Sequence, residues 1–163
     1  MNGQEAGMQN LEGGTDVQGT FVNQYVHTLD SKRRLTIPAE WRELVGSPMR
    51  LYVLPGVNDC CLTVLPARDM MRRLNESRQR LKLSDQKARQ FNRVLASRAD
   101  SLTWDSAGRI RIKDSLLDYA RITSQVVLVG AFEGFELWNP ELWQETGAMD
   151  EKQFADVAQY VGL

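Results

Sequence analysis

The feature that most constrains this chain is an internal echo. Asp30-Ser-Lys-Arg-Arg34-Leu-Thr-Ile37 returns 75 positions later as Asp105-Ser-Ala-Gly-Arg109-Ile-Arg-Ile112. Both copies read Asp-Ser-x-x-Arg, then apolar, polar, Ile. The sequence that follows keeps step. An apolar run begins 21 residues after each Asp, at Leu51 and at Val126, and each run is followed by a glycine, Gly56 or Gly130. A second apolar stretch comes next, Cys61-Leu-Thr-Val-Leu65 or Phe135-Glu-Leu-Trp138. Each half then shows a proline, Pro66 or Pro140, opening a helix-like segment. With one residue deleted the later parts align. Such agreement over roughly 45 residues reads as a tandem repeat of one structural unit.

Local patterns fill in that unit. Residues 21–29 are rich in β-branched and aromatic side chains and predict a strand. Asp30-Ser-Lys-Arg is turn-forming, and Arg34-Leu-Thr-Ile37 alternates as the returning strand. Pro38 suits the first turn of a helix, which runs on through Val45 and ends at Gly46. Strands follow at 51–54 and 61–65, joined by a turn-rich loop. Residues 66–98 predict a helical hairpin. Met70, Leu74 and Leu81 lie near one face of its first helix. Ser84 is expected to cap the second, with Ala88, Phe91, Val94 and Leu95 along one side. The second half repeats the plan: strand 101–104, turn 105–108, strand 109–112, a short helix to Tyr119 capped by Asp114 or Ser115, and strands 125–130 and 135–138. Asn139-Pro140 then forms an N-cap and first-turn pair. Each half reads strand, turn, strand, short helix, strand, strand, helix. Two such halves imply an α+β, mainly β chain, folded as a pseudo-twofold β-barrel with small helices outside.

The chain divides into a tail at 1–20, a first repeat at 21–98 that includes the hairpin 66–98, a second repeat at 99–145, and an acidic end at 146–163. The tail is poor in large apolar groups and is expected to be flexible. A short amphipathic helix can form in the last segment. No apolar stretch approaches the ~20 residues of a membrane span. No basic-then-apolar leader opens the chain, and the two cysteines, Cys60 and Cys61, are adjacent, so a cytoplasmic location is expected. They are expected on opposite faces of a strand.

Net charge is −1, which taken alone argues against nucleic acid, but the charge is unevenly placed. Residues 1–20 hold no Lys or Arg, and 146–163 hold only Lys152. Between them, 21–145 carry 19 basic and 15 acidic residues, and 68–98 carry ten against three. Local charge decides what approaches a surface.

A single Asp-x-x-x-Arg is ordinarily a turn aspartate beside an exposed arginine. Two at matched positions would place two Arg-bearing tips in related orientations. Arginine offers planar, bidentate donors that suit guanine O6/N7 and phosphate, and the aspartate would hold it extended. Lys32 and Arg33 add charge to the first copy, Arg111 and Lys113 to the second. A two-stranded ribbon fits a major groove. A catalytic reading pairs Asp30 with Asp105 as an acid-protease dyad. An arginine four residues after each would depress both pKa values and oppose the sharing of one proton. His27, the only histidine, reads as a half-buried packing residue on a strand. No nucleophile set, metal-ligand spacing or phosphate-cradling loop occurs, so neither catalysis nor a cofactor or metal is expected. The four tryptophans read as core or interface residues.

The stretch Tyr25 through Trp41, the stretch Trp104 through Ile112, and Val126-Val-Leu-Val-Gly130 through Phe135-Glu-Leu-Trp138 together resemble the MraZ family of bacterial transcriptional regulators. The resemblance covers about residues 21–145. It implies a double-psi-like, swapped-hairpin barrel similar to the AbrB and SpoVT DNA-binding group. It also implies a non-enzymatic, sequence-specific regulator, nucleoid-associated. Such a regulator assembles as a ring-like homo-oligomer on tandem promoter repeats of double-stranded DNA, upstream of the division and cell-wall gene cluster that includes its own gene. The family's two Asp-x-x-x-Arg motifs match Asp30/Arg34 and Asp105/Arg109; with the neighbouring charges Lys32, Arg33 and Arg111, the expected DNA-binding set is Asp30, Lys32, Arg33, Arg34, Asp105, Arg109 and Arg111. Two departures stand out. Arg33 replaces the usual glycine, so the first tip is expected to bend differently or gain a phosphate contact. Lys113 replaces a proline, so the second short helix is expected to start less sharply. Residues 1–20 read as an extension ahead of the family's usual start. The runner-up reading is a non-catalytic assembly or partner-binding ring with an incidental basic surface.

Overall fold

The computed structural model describes residues 19–80, 82 and 85–163. Leu81 and Ser84, expected in the hairpin, and residues 1–18 of the expected tail lie outside the described residues. The strands form where short β-branched or aromatic runs are bounded by turn residues. They are β1 (Gln24–Thr28), β2 (Arg34–Thr36), β3 (Leu51–Pro55), β4 (Leu62–Pro66), β5 (Asp100–Leu102), β6 (Arg109–Arg111), β7 (Gln125–Gly130) and β8 (Phe135–Trp138). Six of them make one antiparallel sheet in the order β1-β7-β8-β4-β3-β5, and β2 pairs with β6 in a second, two-stranded sheet. With its helices the chain is α+β.

The pairing is interleaved. The first strand of each half lies on the third strand of the other, β1 on β7 and β5 on β3. In β3–β5, Leu51 opposes Leu102, Tyr52 opposes Ser101 and Val53 opposes Asp100. The same relation, with the halves exchanged and shifted by 75, gives His27 opposite Val126, Val26 opposite Val127 and Tyr25 opposite Leu128. β2 and β6 meet with Leu35 facing Ile110, two residues 75 apart. The later strands correct the sequence alignment. Pro55 opposes Leu62, while Gly130 opposes Phe135. Leu62 and Phe135 are therefore counterparts, and the second half is shorter by two residues, not one. Pro66 and Pro140 are not equivalent: Pro66 ends β4, whereas Pro140 opens the next helix.

Helix α1 (Ala39–Val45) follows Pro38 and stops at Gly46, whose φ is +72°. Hairpin helices α2 (Ala67–Arg80) and α3 (Gln86–Arg98) connect the halves, and Asp85 caps α3 by accepting from Ala88 N–H. Helix α4 (Asp114–Tyr119) is preceded by Lys113, with no side-chain cap from Asp114 or Ser115. Lys113 has φ −63° and ψ 146°, close to the −50° and 135° of Pro38, so α4 starts as sharply as α1. Its Nζ donates to Ala99 O at 2.7 Å. Asn139 accepts from Glu141 and Leu142 N–H at 2.8 and 3.1 Å, and caps α5 (Pro140–Leu142). A wider turn, 143–147, leads to α6 (Glu151–Val161).

The core lies between the sheets and the short helices. Leu35, Ile37, Ile110, Ile112, Leu51 and Leu128 are all fully buried. Trp41 packs on Phe135 with ring centroids 4.8 Å apart and donates its indole N–H to Val22 O. Trp41 and Trp138 are buried, and His27 is half-buried beside Tyr25. Cys60 and Cys61 precede β4 and lie in the loop rather than in a strand. Cys61 is buried, which pushes its thiol up to about 12, while Cys60 Sγ donates to Tyr119 O.

Candidate nucleic-acid interface

Each tip is built from the same few bonds. In the first, Asp30 Oδ1 accepts from the backbone N–H of Lys32 and Arg34 at 2.9 and 2.8 Å, and Oδ2 accepts from Arg34 Nε at 2.7 Å. In the second, Asp105 Oδ1 accepts from Ala107 and Arg109 N–H at 2.9 and 3.0 Å, and Oδ2 from Arg109 Nε at 2.9 Å. The backbone closes alike: Arg33 N–H donates to Asp30 O, and Gly108 N–H to Asp105 O, both at 2.9 Å. Serving its own turn and its own arginine at once, each aspartate ties guanidinium direction to backbone shape.

These bonds favour the ionised carboxylate. The Arg34 backbone N–H is the largest influence holding Asp30 below the usual carboxylate range. The Arg109 backbone N–H, with the Arg109 guanidinium next, takes Asp105 down to about 2. Both groups are shifted the same way, whereas a proton-sharing dyad needs one raised.

The β2–β6 ribbon brings the two tips together. Leu35 and Ile110 point into the core, so alternation turns Arg34 and Thr36, and Arg109 and Arg111, to the other face. Across the pair, Arg34 Nη1 lies 4.0 Å from Asp105 and Arg109 Nη1 lies 4.0 Å from Asp30. The four motif residues are thus one cluster, each side chain about a third exposed. Lys32 is exposed beside it.

Arg33 and Arg111 are placed differently. Arg33 has φ +58°, in the same left-handed region as Gly108 at +76°. The first tip therefore does not bend differently; an arginine takes on the glycine conformation, at about 1 kcal/mol or more of backbone cost. Its guanidinium turns back to α4, 3.4 Å from Asp114 and 3.9 Å from Asp118. Arg111 bonds Asp114 at 3.0 Å and donates to Ile112 O. Sequence reasoning missed Asp114, which holds both arginines; its spacing of three from Arg111 was the available signal. It also missed Arg42 of α1, whose guanidinium lies 2.5 Å from where a Cβ on Gly108 would stand. The second tip thus carries its nearby cation on a helix, while the first carries it on the tip itself.

Elsewhere the hairpin's charge is partly tied up: Arg72 and Arg73 hold Glu133 at 3.0 and 2.7 Å, and Arg68 donates to Leu44 O. Among the described residues no group of His, Cys, Asp and Glu is arranged to hold a metal, and no helix is long and apolar enough to cross a membrane.

A family model described as "MraZ protein, putative antitoxin-like" matches residues 95–160, from the end of α3 through most of α6. The chain is also similar to a protein of Finegoldia magna named transcriptional regulator MraZ. The two are 32% identical over 138 residues, spanning 85% of this chain and 94% of the relative. At that identity, and with nearly all of the relative covered, the chain belongs to the MraZ family.

Proposed function

We propose that this protein is a DNA-binding transcriptional regulator that reads double-stranded DNA with the paired tips. The observation that carries this is the Asp30/Arg34/Asp105/Arg109 cluster on the outer face of a two-stranded ribbon. Each guanidinium is anchored through Nε by its own aspartate, and Arg109 Nη2 is also 2.9 Å from Asp105, so less rotamer freedom is lost when the remaining outer nitrogens meet a base edge or phosphate. Lys32 extends the surface toward phosphate, and Arg33 and Arg111 flank it. Asp30 and Asp105 act as positioning residues. The interleaved pairing supports a pseudo-twofold, swapped-hairpin barrel of the double-psi type, with repeats at 21–98 and 99–145. One pair of tips binds weakly. A ring-like homo-oligomer facing tandem boxes upstream of the division and cell-wall gene cluster, its own gene included, binds by avidity, each tip raising the effective concentration of the next. The protein acts at the nucleoid, without catalysis.

The test is fluorescence anisotropy of the purified protein on the DNA upstream of its own gene and on a scrambled duplex, at two salt concentrations. Tight binding to the upstream DNA that survives the higher salt is expected. Equal, salt-sensitive binding to both duplexes would reduce the interface to generic basic charge. No binding to either would leave a non-catalytic assembly protein as the better account.

A further inference from the structure

Helix α6 is well made and buries nothing in its own chain. Asp150 and Gln153 form a capping box at its start, and Gly162 closes it in the left-handed conformation at φ +83°. Yet Phe154, Val157 and Val161, spaced three and four apart along one stripe, are 62%, 44% and 59% exposed. An isolated helix of this length is marginal in water, and its stability normally comes from packing an apolar face.

A second unfilled apolar surface lies on the inserted hairpin. Between α2, α3 and the β3–β4 strands runs an open groove of about 250 Å³, lined by Leu54, Leu65, Met70, Leu74, Phe91 and Leu95. At its mouth Phe91 is 50% and Val57 69% exposed. The two surfaces are also opposite in charge. Helix α3 carries Lys87, Arg89, Arg93 and Arg98 and no acidic residue. Helix α6 and its cap carry Asp150, Glu151 and Asp156 against Lys152 alone.

We infer that the apolar face of α6 docks into the α2–α3 groove of a second copy of this chain. The occupant is a second copy because one sequence carries both halves of the match, apolar stripe to apolar groove and acid to base, and leaves both exposed. Opposite charge steers the encounter, and the buried aromatic and aliphatic groups hold it. The two surfaces differ, so the contact is heterologous: each copy offers α6 at one end and a groove at the other, and repetition closes into a ring if the rotation permits. This gives the self-assembly proposed above its interface, and rests on that part of the reading and not on DNA.

The experiment weighs the full chain by light scattering after size exclusion, without DNA, with folding checked by circular dichroism. Phe154→Asp breaks the helix face and Phe91→Asp breaks the groove; Val157→Asp and Leu95→Asp are second variants at each. Wild type is expected well above the 18.5 kDa monomer, and each variant at it. Mixing Phe154→Asp with Phe91→Asp restores one intact face of each kind, so a heterodimer is expected that cannot grow further. A variant that keeps the wild-type mass, or a mixture that stays monomeric, overturns this interface while leaving ring assembly standing. A monomeric wild type overturns both.

Discussion

At each tip one carboxylate holds one guanidinium, and the smallest changes should be most telling there. Arg34→Ala or Arg109→Ala is expected to weaken binding to the upstream DNA about 5- to 150-fold, the ~1–3 kcal/mol of a bidentate base contact. Discrimination against the scrambled duplex should shrink too. Anisotropy titrations of both variants check this, and a double variant that binds as wild type sinks the assignment. Asp105 sets a second expectation. Its folded-state pKa, about 2, lies below the ordinary 3.8. Its contribution to stability is therefore complete above the ordinary value and is lost as pH falls through about 2. Carboxyl-carbon NMR should place its midpoint near 2, and a midpoint near 4 would deny the anchored geometry. Gly108→Ala should cost about 1–2 kcal/mol in urea unfolding, because φ +76° is strained for any residue with a Cβ. Arg42, the nearest group, is flexible and can move aside. The aspartates and arginines were legible in the sequence because side chain and backbone lie within four residues of each other. The conformation of Arg33 was not: the turn's closing bonds set φ, and they overrode the residue's own preference.

Among the elements, those with local signals were read well. Strands 125–130 and 135–138 and the Asn139-Pro140 start of α5 stand as the sequence predicts, since alternation, caps and proline act over a few residues. Asn139→Ala should therefore lower stability by about 1 kcal/mol, through loss of the bonds to Glu141 and Leu142 N–H. A thermal melt unchanged from wild type would mean the cap is dispensable. Errors came where one local signal has two uses. Proline suits both a strand end and a helix start, so Pro66 and Pro140 looked equivalent and hid a two-residue difference between the β3–β4 and β7–β8 connections. The cysteines looked strand-like, but β4 begins only at Leu62. Phe91 and Val94 fit the hairpin's apolar stripe by spacing, yet spacing cannot say whether the chain itself covers that stripe.

On the scale of the whole molecule, the interleaving of β1 with β7 and β5 with β3 was the least legible feature, because pairing between distant strands leaves no mark on either one. The halves are not separable units. A fragment of residues 19–98 keeps the β3–β4 pair but loses the partner that each of β1, β2, β3 and β4 has on the other half. It should show no cooperative thermal transition by circular dichroism, and a sharp melt would mean that one half carries its own core. The same arrangement sets a schedule for synthesis. Gln24 cannot meet Val129 until 105 further residues have been joined. At ~5–20 residues per second the nascent β1 waits roughly 5–20 seconds for its neighbour. Throughout that interval Leu29, Leu35 and Ile37, all destined for the core, have no finished core to enter, and stay exposed to whatever meets the emerging chain.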